Sequence, residues 1–256
     1  MAGAGKLSGS KAIVTAAGQG LGEAIAKTLA REGASIAVVD INLPEAKRVG
    51  AEIEAADGSA LVFQADVTRR KEVVAMVNAV LDQWGTVDIL VNAAGGFHRF
   101  APLADISEEE WDQVINLNLK TAFLCAQAVA GAMMEKRKGR IISIASGAGV
   151  GPNPHAPSYL PYGAGKAGLI GFTKHLAREL APYGITVNTV SPGTTLTPRV
   201  RKIRDAANIE EIISHIPMKC LVEPQDTAEA VLFLASAESR YITGINMNVN
   251  GGNLIA

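Results

Sequence analysis

Cysteine, histidine, surplus charge and long apolar runs are all scarce in this chain of 256 residues, and each scarcity removes a class of function. The two cysteines, Cys125 and Cys220, lie far apart in sequence, so a disulfide framework is excluded and two buried thiols without a role are expected. His98, His155, His175 and His215 have no metal-ligand spacing to Cys, Asp or Glu, which argues against a zinc-dependent dehydrogenase. With 24 basic residues against 25 acidic, a net charge of −1 offers nothing extra to a phosphate backbone or an anionic bilayer, and no nucleic-acid partner is expected. Lys, Arg, Glu, Gln or Pro interrupts every apolar run before it reaches membrane-spanning length. The N-terminus has no basic region leading into a long apolar core and cleavage site, so a reducing cytoplasm is the expected location.

What remains is ordinary for a globular protein: 48% hydrophobic and 19% charged residues. Short apolar runs at Lys11–Thr15, Ser35–Asp40, Ala60–Gln64, Val87–Asn92, Arg140–Ala145, Ile185–Val190 and Asn246–Val249 read as strands. Helix-patterned segments lie between them, at Gly22–Glu32, Pro44–Ala56, Arg69–Trp84, Glu108–Lys136, Tyr162–Ala181 and Asp226–Ala235. Such alternation predicts an α/β fold, a doubly wound parallel sheet of about seven strands with helices on both faces. No repeat, low-complexity tract or linker divides the chain, so residues 1–256 are read as one domain. Two stretches break the alternation: Gly147–Pro161, with prolines at 152, 154, 157 and 161, and Thr194–Leu221. Both follow strands at their carboxyl ends, where open α/β sheets bind ligands.

The run Thr15-Ala16-Ala17-Gly18-Gln19-Gly20-Leu21-Gly22 follows the first strand and opens a helix. Glycines there let backbone amides approach a pyrophosphate at the helix N-terminus. Asp40 ends the second strand, where a carboxylate accepts hydrogen bonds from the adenosine ribose and repels a 2′-phosphate. Neither residues 16–19 nor Ile41, Asn42 and Leu43 include a cation, so NAD is the expected cofactor rather than NADP. Asp66-Val67 and Asn92-Ala93-Ala94-Gly95 close the third and fourth strands, the small residues allowing backbone to lie close to adenine or ribose. Tyr162 and Lys166 sit four apart on a predicted helix and share a face. A free phenol ionises near pH ~10, and a neighbouring ammonium favours its ionised form, which makes the tyrosine a candidate acid/base.

With the glycine loop, Asp40, Asn92-Ala93-Ala94-Gly95, Asn118, Ser146, the Tyr162/Lys166 pair and Pro192-Gly193 in this order, the chain resembles the short-chain dehydrogenase/reductase family over nearly its whole length. The resemblance implies a Rossmann-type fold and hydride transfer between a secondary alcohol or ketone and nicotinamide. By that resemblance Tyr162 exchanges a proton with the substrate oxygen, Ser146 orients that oxygen, Lys166 also holds the nicotinamide ribose, and Asn118 supports a relay water to the lysine. Ser143, three residues from Ser146 on the predicted strand, must face the other way. Tyr159 lies nearer the family's usual distance from the serine, but position 163 is Gly, so Tyr159 lacks its lysine. The implied cofactor contacts are Gly18, Gln19, Gly20, Leu21, Gly22, Asp40, Ile41, Asp66, Val67, Asn92, Ala93, Gly95, Tyr162, Lys166, Pro192, Gly193, Thr195 and Thr197, with a substrate flap over 194–221. One departure is Ala16, where the family usually has Gly.

The leading expectation is an NAD-dependent oxidoreductase acting on a small-molecule alcohol or ketone. A 3-oxoacyl-thioester reductase is the nearest alternative, against which Asp40 weighs because such enzymes usually take NADPH. A non-catalytic nucleotide-binding regulator need not keep Ser146, Tyr162 and Lys166 together. The resemblance also implies a homo-oligomer, a tetramer more than a dimer, pairing helices through Phe123, Leu124, Ala126, Leu169, Ile170 and Phe172.

Overall fold

The apolar runs become seven parallel strands in one sheet, ordered β3-β2-β1-β4-β5-β6-β7: β1 Lys11–Thr15, β2 Ser35–Asp40, β3 Ser59–Gln64, β4 Ile89–Asn92, β5 Gly139–Ile144, β6 Ile185–Pro192 and β7 Asn246–Val249. The computed structural model describes residues 5–152, 159–198, 200 and 205–255. Pro154, His155 and Pro157, together with residues 199 and 201–204 of the expected flap, lie outside the described residues.

Strands buried on both faces need apolar side chains at consecutive positions, and Ala12-Ile13-Val14 supplies them. Ala12 and Val14 pack with Ile25 and Leu29 of α1 (Gly20–Arg31), Val49 and Ile53 of α2 (Leu43–Ala55) and Val231 and Leu234 of α9 (Pro224–Ala235). Ile13 points oppositely, into a cluster with Val77 of α3 (Arg70–Trp84), Val129 of α5 (Thr121–Lys136) and Leu180 of α7 (Leu160–Leu180). Each fully buried side chain of this size stabilises the fold by about 1.5–3 kcal/mol relative to exposure.

Helix ends follow local chemistry. Ser107 caps α4 (Glu108–Ile115), its Oγ accepting from Glu110 N at 3.1 Å, and three glutamates fill the first turn where the helix dipole favours negative charge. A π turn, Asn116–Lys120, joins α4 to α5, so Glu108–Lys136 forms one helical stretch. By length and composition alone that stretch is apolar enough to cross a bilayer, contrary to the sequence expectation; here α5 packs on α3, β4 and β5 as a core helix. A short helical turn, α6 (Gly147–Val150), and α8 (Ala206–His215), inside the expected flap, were not predicted.

Other expectations need correcting. Of the residues expected either at a subunit face or in the core, Leu124, Ala126 and Leu169 pack in the core, whereas Phe123 is 41% exposed. Cys220 is exposed rather than buried, while burial pushes the Cys125 thiol up to about 12 and leaves it inert. β3 stops at Gln64 and β5 at Ile144, so Asp66 and Ser146 stand two residues beyond their strands.

Candidate active site

Sheet order reverses between β1 and β4, and the glycine loop sits at that switch point, above the carboxyl ends of the strands. Ala17 N donates to Val39 O at 3.0 Å, and Thr15 Oγ1 accepts from Ala93 N at 3.0 Å, tying the loop to β2 and the β4 turn to β1. A β-carbon on Gly22 would stand 2.1 Å from the Ala16 carbonyl oxygen, so only glycine allows α1 to start this close to the loop. Ala16 itself adopts φ +50°, the left-handed conformation that explains the glycine usual at this position in the family it resembles. Gln19, at the N-cap of α1, makes no side-chain capping bond, so the first-turn amides are not capped by that side chain. Such a cradle suits a pyrophosphate.

Asp40 is buried at the rim of this crevice. Its Oδ2 accepts from Gly18 N at 2.8 Å and its Oδ1 from Asn42 N at 2.9 Å, which fixes the carboxylate while each oxygen keeps accepting capacity for a ribose hydroxyl. Sequence reasoning found no cation here, yet α2 brings one: Arg48 Nη2 donates to Gly18 O at 2.9 Å. That guanidinium is engaged by Glu23, Glu45 and Glu52 at 3.0, 2.8 and 2.9 Å, which raise its pKa further. Asp66 turns into its own loop, accepting from Thr68 N at 3.0 Å and pairing with Arg69 at 3.1 Å.

On the opposite side of the crevice, Ser146 and Tyr162 line one cavity of about 670 Å³. Ser146 caps α6, its Oγ accepting from Ala148 N at 3.2 Å, whereas Ser143 Oγ is buried in the sheet and accepts from Asn92 Nδ2 at 3.1 Å. Lys166 is 3% exposed, with Nζ 5.7 Å from the Tyr162 ring centre and donating to Ile144 O at 2.7 Å. Asn118, on the π turn, exchanges a pair of hydrogen bonds with Gly96: Oδ1 accepts from its N at 2.8 Å and Nδ2 donates to its O at 2.7 Å. The predicted constellation is therefore brought together by the turn after β5, which carries Ser146, by α7, which carries Tyr162 and Lys166, and by the π turn, which carries Asn118.

Pro192, Gly193, Thr195 and Thr197 all border the same cavity, and the Thr197 methyl faces Gly20 of the loop. Three groups of lining or bracing residues escaped the sequence reading. Phe97 and Phe100 follow β4; Glu110 accepts from Tyr159 Oη at 2.5 Å; Asn250 and Leu254 follow β7, with Asn250 Nδ2 donating to Leu254 O at 2.8 Å. Burial and the Glu110 carboxylate push the Tyr159 phenol up to about 12, so it stays protonated at neutral pH. No group of three or more potential metal ligands occurs among the described residues.

A family model described as Enoyl-(Acyl carrier protein) reductase matches residues 15–253. The chain belongs to the short-chain dehydrogenase/reductase family. It is an oxidoreductase of CH–OH and keto groups. The 3-oxoacyl-[acyl-carrier-protein] reductase FabG of Staphylococcus epidermidis is 41% identical over 242 residues, 94% of this chain and 97% of that one. The (2S)-[(R)-hydroxy(phenyl)methyl]succinyl-CoA dehydrogenase subunit BbsD of Thauera aromatica is 39% identical over 241 residues, covering 94% and 95%. Among solved structures, a 7α-hydroxysteroid dehydrogenase complexed with NADH and 7-oxo glycochenodeoxycholic acid superposes with a TM-score of 0.92 at 33% identity, covering 96% of this chain and 94% of that one. These short-chain dehydrogenase/reductase relatives agree with the Rossmann-type sheet described above.

Proposed function

We propose that this protein is an NAD(H)-dependent oxidoreductase that interconverts a secondary alcohol and a ketone, with Tyr162 as the acid/base. The observation that carries the reading is the convergence of Ser146 and Tyr162 on one cavity, with the Lys166 ammonium 5.7 Å from the Tyr162 ring. The crevice fits a dinucleotide: Gly18–Gly22 would hold the pyrophosphate, Asp40 the adenosine ribose, and Pro192, Gly193, Thr195 and Thr197 the carboxamide end. When bound, NAD(H) supplies or accepts the hydride. In the reducing direction the Ser146 hydroxyl hydrogen-bonds the substrate oxygen and Tyr162 donates its proton to it as negative charge develops. Lys166 stabilises the phenolate left behind, and Asn118 holds the 95–96 backbone against it. The carboxylate of Asp40, and an Arg48 already committed to three glutamates, support NAD over NADP.

Titration with NADH and NADPH tests the cofactor, and Tyr162→Phe tests the chemistry: turnover is lost with NADH affinity nearly unchanged, while Tyr159→Phe remains active. Turnover that survives Tyr162→Phe and disappears in Tyr159→Phe reassigns the acid/base. A second reading, reduction of a 3-oxoacyl thioester, draws on the FabG relative. The BbsD relative, by its name, acts on a carbinol that bears a phenyl group, which favours substrates broader than fatty acyl chains. One domain would carry both cofactor and substrate sites, in the cytoplasm, as a homotetramer. Phe123 and Phe172, edge-to-face with ring centres 6.4 Å apart on α5 and α7, are suited to the subunit face.

A further inference from the structure

Aromatic residues are few in this chain, six Phe, four Tyr and two Trp, yet two Phe and two Tyr meet in one wall of the cavity. Phe97 is the hub. Its ring centre lies 5.0 Å from Phe100, 5.3 Å from Tyr159 and 4.9 Å from Tyr162, at interplanar angles of 67°, 44° and 56°. These tilted and edge-on pairings are the arrangement that aromatic quadrupoles prefer.

The wall is braced from behind. Ser107 fixes the first turn of α4, which places Glu110; Glu110 accepts from Tyr159 Oη at 2.5 Å and from Arg99 at 3.0 and 2.6 Å, and Arg99 also donates to Asp105 O at 2.8 Å. The loop after β4, the start of α4 and the entry to α7 are thereby locked to one another through a tyrosine that is 3% exposed. A mere apolar lining for a flexible chain has no need of fixed ring orientations, since aliphatic burial is non-directional. None of the described residues lining the cavity is charged.

We propose that the site takes a ketone, and the corresponding secondary alcohol, that carries an aromatic ring on the reacting carbon, with the ring seated against Phe97 and Phe100 and backed by Tyr159. The proposal rests on Tyr162 as the proton donor, because Phe97 packs beside that ring and meets whatever flanks a carbonyl held there. In reduction, the carbonyl carbon gains hydride from NADH and its oxygen gains the Tyr162 proton, giving the benzylic alcohol and NAD+.

The test follows NADH consumption by the full-length enzyme with acetophenone and cyclohexyl methyl ketone, matched in carbon skeleton but differing in aromaticity, and with ethyl benzoylacetate against ethyl 3-oxobutanoate. Because intrinsic ketone reactivity cancels between enzyme forms, the deciding quantity is the aryl-to-alkyl ratio of kcat/KM in the wild type divided by that in Phe97→Leu. This quotient should be about tenfold, residing mainly in KM, as one or two aromatic pairings predict. Phe100→Leu should reduce the ratio in the same direction, and it decides the matter if Phe97→Leu does not fold. A ratio unchanged in both variants, with alkyl ketones turned over, overturns the aromatic assignment alone. No turnover of any ketone by enzyme that binds NADH overturns the assignment of Tyr162 and this inference with it.

Discussion

Lys166 and Gly95 touch across the crevice: a β-carbon on Gly95 would lie 2.7 Å from Lys166 Nζ and 2.8 Å from Asn118 Oδ1. The turn after β4 thus has no room for even a methyl group beside the ammonium. Gly95→Ala should displace Nζ or the Asn118 carboxamide and lower kcat/KM by about 10- to 100-fold, as small misplacements of catalytic groups do. Steady-state kinetics with a thermal melt checks this, the melt staying close to that of the wild type.

Cofactor choice should respond to Asp40 and Arg48 together. Asp40→Ala removes the carboxylate that accepts from Gly18 N and should weaken NADH binding by about tenfold, the worth of roughly 1.4 kcal/mol. Adding Glu45→Gln releases Arg48 from one of its three carboxylates, so the double variant should bind NADPH more tightly than Asp40→Ala does. Fluorescence titration of both variants decides it, and unchanged preference for NADH in the double variant counts against the assignment.

Ala16, at φ +50°, reverses the usual sign of an Ala→Gly exchange. Left-handed backbone costs a non-glycine residue roughly 1–2 kcal/mol. Glycine's freer unfolded chain gives back about 0.4–1 kcal/mol. Ala16→Gly should therefore be neutral or stabilising by up to about 1.6 kcal/mol in urea unfolding. Marked destabilisation would show that the loop relies on the methyl group.

The inner strands were legible because they are buried on both faces and read as largely apolar runs, and β1 and β2 fall at the predicted bounds; the edge strand β7, Asn-Met-Asn-Val and only half-buried, also falls at its predicted bounds. The glycine loop, Asp40 and the Tyr162/Lys166 pair could be picked out from residue chemistry and spacing within one chain segment, whereas Asn118 and Ser146 were named only through the family resemblance. Arg48 beside Gly18, 30 residues apart, and Tyr159 on Glu110, 49 apart, were not, since only packing of α2 and α4 sets those distances. α8 was missed although Ile209, Ile212 and Ile213 carry a helical period, because polar neighbours masked it. The π turn has no composition cue at all.

Acid should loosen the brace behind the aromatic wall. Arg99 first, and then Tyr159, hold the Glu110 carboxyl below its ordinary value. A depressed carboxylate pKa stabilises the fold above the unfolded value, about 4.3, and loses that contribution as pH falls through the folded value. The difference in urea midpoint between wild type and Glu110→Gln should be constant from about pH 7 to 5 and close below that; a gap that persists in full near pH 3 argues against the brace.

At the alkaline end, Tyr159 ionises late, near 12. A raised tyrosine pKa favours folding below the unfolded value, about 10, and that contribution disappears as pH rises through the folded value. Tyrosinate absorbance should accordingly lose its latest-titrating component in Tyr159→Phe, and a component that remains there belongs to another phenol.

The π turn at Asn116–Lys120 amounts to one surplus residue in an otherwise regular helix. Five residues wound i→i+5 sweep roughly the angle that four cover in an ordinary α-helix, so excising one of these positions lets the backbone relax while α4 keeps its rotation about the axis. Glu110 should then still reach Tyr159, and the damage should fall on the carboxamide of Asn118 and its two bonds with Gly96. The clamp depends on the widened turn and the brace does not, so a single-codon deletion in this short span should cost turnover more than it costs folding.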